Sequence, residues 1–306
     1  MIPQQQLIGL TLVPAALIGI ICNWLVVIAT WKSRSLSHSF SLLTANQAVF
    51  NGLHSTFCLL YITPMVVLNS KFLLTNSYHC GFILVLCYDA SMHAHFLITV
   101  NRFCAVFLPM VYKKVFTSFW TKIIILGSFL TSLSVLSYFF QLLPCRIFYS
   151  TDILIYTYND YPICWDFGLY GDALKCVFLA LFNVVVDMIT IWKVKRTRKL
   201  IRRGLPPVAA FQKKEVDFLK QSFFQSLYIF MFLPIYYFAP MFTSNKMIGF
   251  VVGVVGWCLL HSLDGVFTLC FNSEIRKALA PAKSQRSQVT VNSLVVTDVK
   301  ATVKIT

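Results

Sequence analysis

Eight side chains could do chemistry and yet lie inside long apolar stretches: Asn51, His54, Asp89, His93, His95, Arg102, His261 and Asp264. A polar or ionisable group in hydrocarbon is costly, and where one is kept it pairs with another or serves a site. By count, His54, Asp89, His93, His95 and His261 could ligate the metal of a seven-span membrane hydrolase. The spacing argues against it. His93 and His95 are two residues apart, about 200° around a helix, and no His pair has the i,i+4 spacing of a helical metal motif. Asp89 and His93 do have that spacing and can pair with one another on the flank of their helix. A ligand-gated channel or transporter is a further class, but no span carries a stripe of charges or paired broken segments. These residues therefore predict no enzyme, no catalytic residue, no metal and no cofactor.

The elements that must position these groups follow from composition. Of 306 residues, 58% are apolar and only 12% charged, with a mean hydropathy of +0.72. A soluble domain carries about 25% charge, so the composition excludes a cytosolic enzyme, a disordered scaffold and a secreted disulfide module. Seven runs reach the roughly 20 residues a spanning helix needs: 8–31, 40–68, 80–108, 123–143, 169–192, 221–242 and 247–271. They lack period-two alternation, which excludes a barrel. Residues 1–6 carry no cation and the first run exceeds a signal-peptide core, so it reads as a span.

The net charge of +15 sits between the runs, a membrane-topology pattern and not a nucleic-acid footprint. Of the 26 cations, 22 fall on the side of the C-terminal tail and four (Lys71, Arg146, Lys175, Lys246) on the other. This predicts an outer N-terminus, an inner C-terminus and a basic inner linker, 193–220, broken at Gly204-Leu205-Pro206-Pro207. The fold class is thus an all-α membrane protein, a seven-transmembrane helix bundle with a short amphipathic helix after span seven. Residues 1–7 form an outer segment, 8–280 the membrane domain, and 281–306 a Ser/Thr-rich flexible tail. Most of the ten cysteines lie in apolar runs, where a thiol behaves as a small hydrophobe. Cys80, Cys145 and Cys164 lie near span ends on the outer side, where thiols can oxidise.

Arg102 near the inner end of span three can be read as an arginine snorkelling to the headgroups. A different reading comes from its neighbours. Asn101-Arg102-Phe103, with Pro109 following, resembles the Asp-Arg-Tyr segment of rhodopsin-like G-protein-coupled receptors, with Asn101 in place of the acid. Asn46-Gln47-Ala48-Val49-Phe50-Asn51 is similar to the second-span motif, and Phe230-Met231-Phe232-Leu233-Pro234 to the aromatic-x-Pro kink of span six. Asp264-Gly265-Val266-Phe267-Thr268 keeps the frame of the Asn-Pro-x-x-Tyr segment. Four such matches occur in order, each in its own span. Asn-Arg-Phe-Cys-Ala at 101–105, Phe218-Leu219-Lys220-Gln221 and Tyr170-Gly171-Asp172 resemble nematode serpentine chemoreceptors, most closely class X, over about residues 8–280.

The resemblance implies a G-protein-coupling surface at Asn101, Arg102, Phe103, Lys113 and Lys114. A neutral Asn101 cannot pair ionically with Arg102, so what holds it at rest must come from elsewhere; Asp187, Glu215 and Asp217 are the candidates, the last two also reading as a solvated helix start. At 100° per residue, His95, Ser91, Tyr88 and Leu84 fall within about 40° of the Arg102 face. Buried polar groups must satisfy one another, so Asn23, Asn51, Ser91, His95, His261 and Asp264 should form one network. In the family such a network is the element that switches, together with Phe232 and the bend at Pro234. A sodium ion beside Asp264 and a protonated Asp264 are both open readings. The resemblance also implies a bridge from Cys80 to the second outer loop, taken as Cys80–Cys164 with Cys145 as the alternative partner and free thiols the remaining possibility. An aromatic, mostly neutral ligand pocket is expected from His54, Leu84, Tyr88, Lys175 and Tyr236, and no lysine in span seven is placed for a retinal Schiff base. The implied partners are a small-molecule ligand, a heterotrimeric G protein and the lipid membrane, with no nucleic acid. The implied location is the plasma membrane, including the cilia of sensory neurons.

Overall fold

The computed structural model describes residues 4–32, 38–202, 213–242 and 245–280. The tail at 281–306, the Gly204–Pro207 breaker and the Glu215 side chain lie outside the described residues.

The apolar runs fold as helices because only an internally hydrogen-bonded backbone is stable where water is absent. We label the principal helices α1 (Leu12–Lys32), α2 (His38–Phe57), α3 (Ser77–Phe107), α4 (Ser118–Ser137), α5 (Lys175–Arg202), α6 (Lys213–Phe242), α7 (Gly256–Phe271) and α8 (Ser273–Leu279). Among the described residues, six stretches are long and apolar enough to cross a bilayer: Ile8–Lys32, Ser39–Val67, Ser77–Phe107, Ser118–Leu142, Pro162–Lys199 and Lys246–Phe271. The expected sixth run becomes α6, as long as its neighbours but with a start carrying Lys213, Lys214, Asp217 and Lys220. Helix α3 runs against α2, α4, α5 and α6, while α7 closes on α1, α2 and α6. That arrangement puts the polar faces of α2, α3 and α7 against one another and leaves α4 at the periphery.

One end of the bundle is covered by an antiparallel ribbon, β1 (Ile147–Ser150) and β2 (Ile155–Tyr158), paired Ile147 to Tyr158 and Ser150 to Ile155. The ribbon adds two short strands, which the all-α expectation did not include, to a mostly helical chain. Alternate residues of the expected loop (Ile147 and Tyr149, then Tyr156) are buried, the period of a strand laid on a surface. At this same end, four helices contain π turns: Cys58–Ile62, Tyr138–Leu142, Phe167–Leu174 and Val251–Val255.

The disulfide also differs from expectation. Cys145 bonds Cys164, while Cys80 is a free, buried thiol. The register of the ribbon explains the choice. Asn159 donates its amide to Arg146 oxygen, and the turn Pro162–Asp166 carries Cys164 back beside Cys145. Cys80 is spent on packing, because β1 crosses the start of α3 there. Tyr149 donates its amide to Ser77 Oγ, and a Cβ at Gly81 would come 2.4 Å from Ile147 oxygen, so only glycine fits.

At the opposite end, Asn272 caps α8 by accepting from the Ile275 amide, and Ile275 is fully buried. Arg276 donates to the carbonyls of Leu269 and Cys270, satisfying the last turn of α7. The expected amphipathic helix is present.

Candidate functional site: a buried polar network above a caged arginine

The network assembles from three helices whose polar residues recur at helical spacing. Asp264 of α7 accepts through Oδ2 from Asn51 Nδ2 at 2.9 Å and from Gln47 Nε2 at 3.2 Å, both on α2, and lies 2.7 Å from His95 Nε2 on α3. Asn51 Oδ1 accepts from Ser91 Oγ and from His261 Nδ1, each at 2.7 Å. An amide oxygen only accepts, so His261 carries its proton on Nδ1. Asn23 of α1 donates to the carbonyl of His261 at 3.2 Å. Asn23, Asn51, Ser91, His95, His261 and Asp264 are all buried, and the structure brings them together. The gap beside Asp264, bounded by Asn23, Thr44, Gln47 and Thr268, is too small for a water molecule. In this conformation, Asp264 Oδ2 is held by protein groups, while Oδ1 is buried with no hydrogen-bond partner among the described residues.

A second ladder joins α6 to α7. Gln225 donates to the carbonyl of Asp264 at 3.0 Å and to Thr268 Oγ1 at 3.2 Å. One turn further along, Gln221 donates to Thr268 Oγ1 at 2.9 Å and accepts from Asn272 at 3.2 Å. Asp187 of α5 accepts from Ser222 at 2.8 Å and Ser226 at 3.4 Å. Asp217 accepts from Ser273 at 3.1 Å. Of the three acids expected to hold Arg102, Asp187 and Asp217 make these bonds to serines, and the Glu215 side chain lies outside the described residues.

Arg102 is turned into the bundle and is 7% exposed, which rules out a side chain pointing into lipid. Its Cζ lies 3.7 Å from the ring centre of Phe40 on α2 and 4.6 Å from that of Phe218 on α6. Ring faces attract a guanidinium electrostatically, by about 2 kcal/mol where water is excluded. Asn101 donates to Ser39 Oγ at 3.3 Å, and Ser39 Oγ lies 3.1 Å from Tyr112 Oη. The acid-to-asparagine change therefore redirects this position to the start of α2. Phe103 stacks on Phe107, and Lys113 and Lys114 are exposed on the short helix Pro109–Val115.

A family model described as serpentine type 7TM GPCR chemoreceptor Srx matches residues 13–272. The chain belongs to this family. It is similar to serpentine receptor class X 45 of Caenorhabditis elegans, 24% identical over 289 residues that cover 88% of this chain and 80% of the relative. It is also similar to serpentine receptor class X-43 of the same organism, 24% identical over 294 residues, covering 90% and 87%.

In this Srx chain, His54, Tyr88 and Tyr236 converge on one ring, Trp257 of α7, with centroids 5.0, 6.1 and 6.2 Å away. Tyr156 from the ribbon joins them at 6.3 Å, and Leu84 is fully buried in the same core. His54 also stacks on His261 at 3.9 Å, which links the aromatic group to the polar network. Lys175 is engaged away from this expected pocket, in an ion pair with Asp89. The expected Asp89–His93 contact is 3.7 Å, and His93 lies 3.0 Å from Ser132 Oγ on α4. Burial in the ribbon pushes the Tyr149 and Tyr156 phenols up, so both stay neutral.

Phe232 faces α7 so closely that a Cβ at Gly256 would lie 2.7 Å from its Cζ. Helix α6 runs through Pro234, whose missing amide leaves one turn without its hydrogen bond. Gln47, Gln221, Gln225 and Thr268 join the network although the motifs gave them no place in it; polar side chains at i,i+4 in an apolar run are the signal that marks them. Phe40 and Phe218 are ordinary apolar residues in the sequence until the fold places them on Arg102.

Proposed function

We propose that this chain is a seven-span chemosensory receptor. Helix α6 completes the seventh crossing, with the N-terminus outside and the C-terminus inside the plasma membrane, including that of sensory cilia. A small molecule enters at the ribbon end and binds around Trp257, and the opposite end activates a heterotrimeric G protein. The observation that carries this reading is the position of Arg102, a cation held inside the bundle by a ring from α6. Phe218 stands 16 residues from Pro234, about 24 Å along the helix. A swing of about 10° there carries Phe218 about 4 Å, enough to uncover Arg102.

Ligand and G protein need not touch. The aromatic group around Trp257 contacts His261 through His54; His261 bonds Asn51; Asn51 bonds Asp264; and Gln225 ties Asp264 to α6. A ligand that changes this packing biases a two-state bundle in proportion to its preference for one state. Asn101, Phe103, Lys113 and Lys114 frame Arg102 on the coupling side.

The test is a screen of small molecules on cells expressing the full chain with a promiscuous G protein, alongside an epitope at each terminus. The reading expects second-messenger release from at least one compound, an N-terminal epitope stained on intact cells and a C-terminal one stained only after permeabilisation. Ligand-evoked current without G protein, or reversed staining, contradicts it.

A further inference from the structure

Four buried polar atoms gather around Trp257. Tyr88, Tyr156 and His54 pack on its ring, and His261, one turn along α7, packs on Tyr88 and His54. All four residues are more than nine-tenths buried. The hydroxyls of Tyr88 and Tyr156 and the Nε2 atoms of His54 and His261 have no hydrogen-bond partner among the described residues. The Cys176 thiol and the Tyr237 phenol stand beside the Tyr88 hydroxyl, and the Cys80 thiol beside that of Tyr156, none of them in hydrogen-bond geometry.

Buried polar groups are paired as a rule, because one left unbonded loses its water and gains nothing. A threonine hydroxyl in a helix can turn to its own backbone. A phenol is held too far out to do so. Groups drawn from α2, α3, α7 and the ribbon onto one set of rings therefore mark a place that a bound molecule completes.

The set defines its complement. His261 gives its Nδ1 proton to Asn51, so in the neutral ring Nε2 is an acceptor and needs a donor. The two phenols have protons to give and need acceptors. The rings of Trp257 and Tyr236, with centroids 6.2 Å apart, suit a flat apolar body. The charged groups nearby are engaged with other partners: Lys175 holds Asp89, and Asp172 accepts from Tyr158 at 3.4 Å.

We infer that the Trp257 site takes an uncharged, flat molecule carrying both a carbonyl and a hydroxyl. The carbonyl accepts from Tyr88 and Tyr156, the hydroxyl donates to His261 Nε2, and the body lies against Trp257. Accepting at Nε2 polarises the imidazole and strengthens its Nδ1 bond to Asn51, which carries occupancy into the polar network. The inference rests on the reading of the Trp257 group as the ligand site.

The probe is 4-hydroxyacetophenone, titrated by ligand-observed NMR onto the full-length chain in nanodiscs, in mildly acidic buffer that keeps its phenol protonated. Acetophenone lacks the hydroxyl and should bind about five-fold more weakly, the effect of one hydrogen bond. The Tyr88→Phe and Tyr156→Phe variants should each weaken 4-hydroxyacetophenone about five-fold and leave 4-ethylphenol, which has no carbonyl, unchanged. Without ligand, both variants should melt at or above the wild-type temperature, because each removes an unbonded buried hydroxyl. A lower melting temperature would show the hydroxyls already bonded, to the chain or to ordered water, and overturns the proposal. So does tighter binding of 4-hydroxybenzylamine or 4-hydroxybenzoate, the charged analogues, or no saturable binding of 4-hydroxyacetophenone. The compound screen and the terminal epitopes test the receptor reading separately.

Discussion

The Arg102 guanidinium lies over the ring of Phe40 at 3.7 Å and the ring of Phe218 at 4.6 Å, one ring from α2 and the other from α6. In a chain with Asn101 beside the arginine, the neighbouring position offers no charge. Two aromatic faces from different helices attract the guanidinium, and the contact with Phe218 depends on α6 staying where it is.

Phe218→Leu keeps an apolar side chain but removes a ring face from Arg102. Losing about 1 kcal/mol of attraction in a resting state raises the active population roughly five-fold. We expect basal nucleotide exchange on a reconstituted G protein to rise by about that factor. An unchanged basal rate at equal surface expression denies the cage its role.

Gln225→Leu removes the hydrogen bonds to Asp264 oxygen and Thr268 with little change of volume. Each such bond contributes about 1 kcal/mol. The variant should show a raised basal rate and a lower melting temperature in detergent. Thermal stability falling without any change in basal rate would make the ladder structural only.

His95 and Asp264 should couple. In a double-mutant cycle with His95→Gln and Asp264→Asn, residues sharing one buried network deviate from additivity by about 1–3 kcal/mol. The readout is the melting temperature of the purified receptor, with basal exchange measured in parallel. Asp264→Asn by itself should shift basal exchange, because it keeps the shape and puts an amide where Asn51, Gln47 and His95 meet a carboxyl oxygen. Additive effects, or an unaltered dose-response in Asp264→Asn, reject the network as a switch.

The disulfide gives a simple contrast. The bond joining Cys145 to Cys164 closes a loop with a sequence separation of 19, worth about 3 kcal/mol by chain entropy. Cys164→Ser should lower surface expression and melting temperature, and Cys80→Ser should leave the non-reducing gel mobility and the bridge intact. A bridge lost in Cys80→Ser would restore the pairing expected from the family resemblance.

The helices and the members of the network were legible in the sequence because both obey short-range rules. Apolar runs of spanning length must be helical, and Asn51, Ser91, His95 and Asp264 are too costly in an apolar setting to be left unpaired. The wheel placing His95 and Ser91 on the Arg102 face needs only helical geometry. What failed depended on partners distant in sequence. Cys164 finds Cys145 because the ribbon registers Ile147 against Tyr158, a pairing no local pattern announces. Lys175 leaves the aromatic pocket for Asp89, 86 residues away. Phe40 and Phe218 gain their role only when α2 and α6 meet around α3.

Coupling, and not membrane anchoring or folding, is the role proposed for Arg102. The most direct measurement is G-protein nucleotide exchange by Arg102→Ala in nanodiscs, at a receptor density matched by surface labelling. Normal expression and topology are expected, with agonist-stimulated exchange reduced to the receptor-free rate. Exchange at the wild-type rate in that variant would contradict that role.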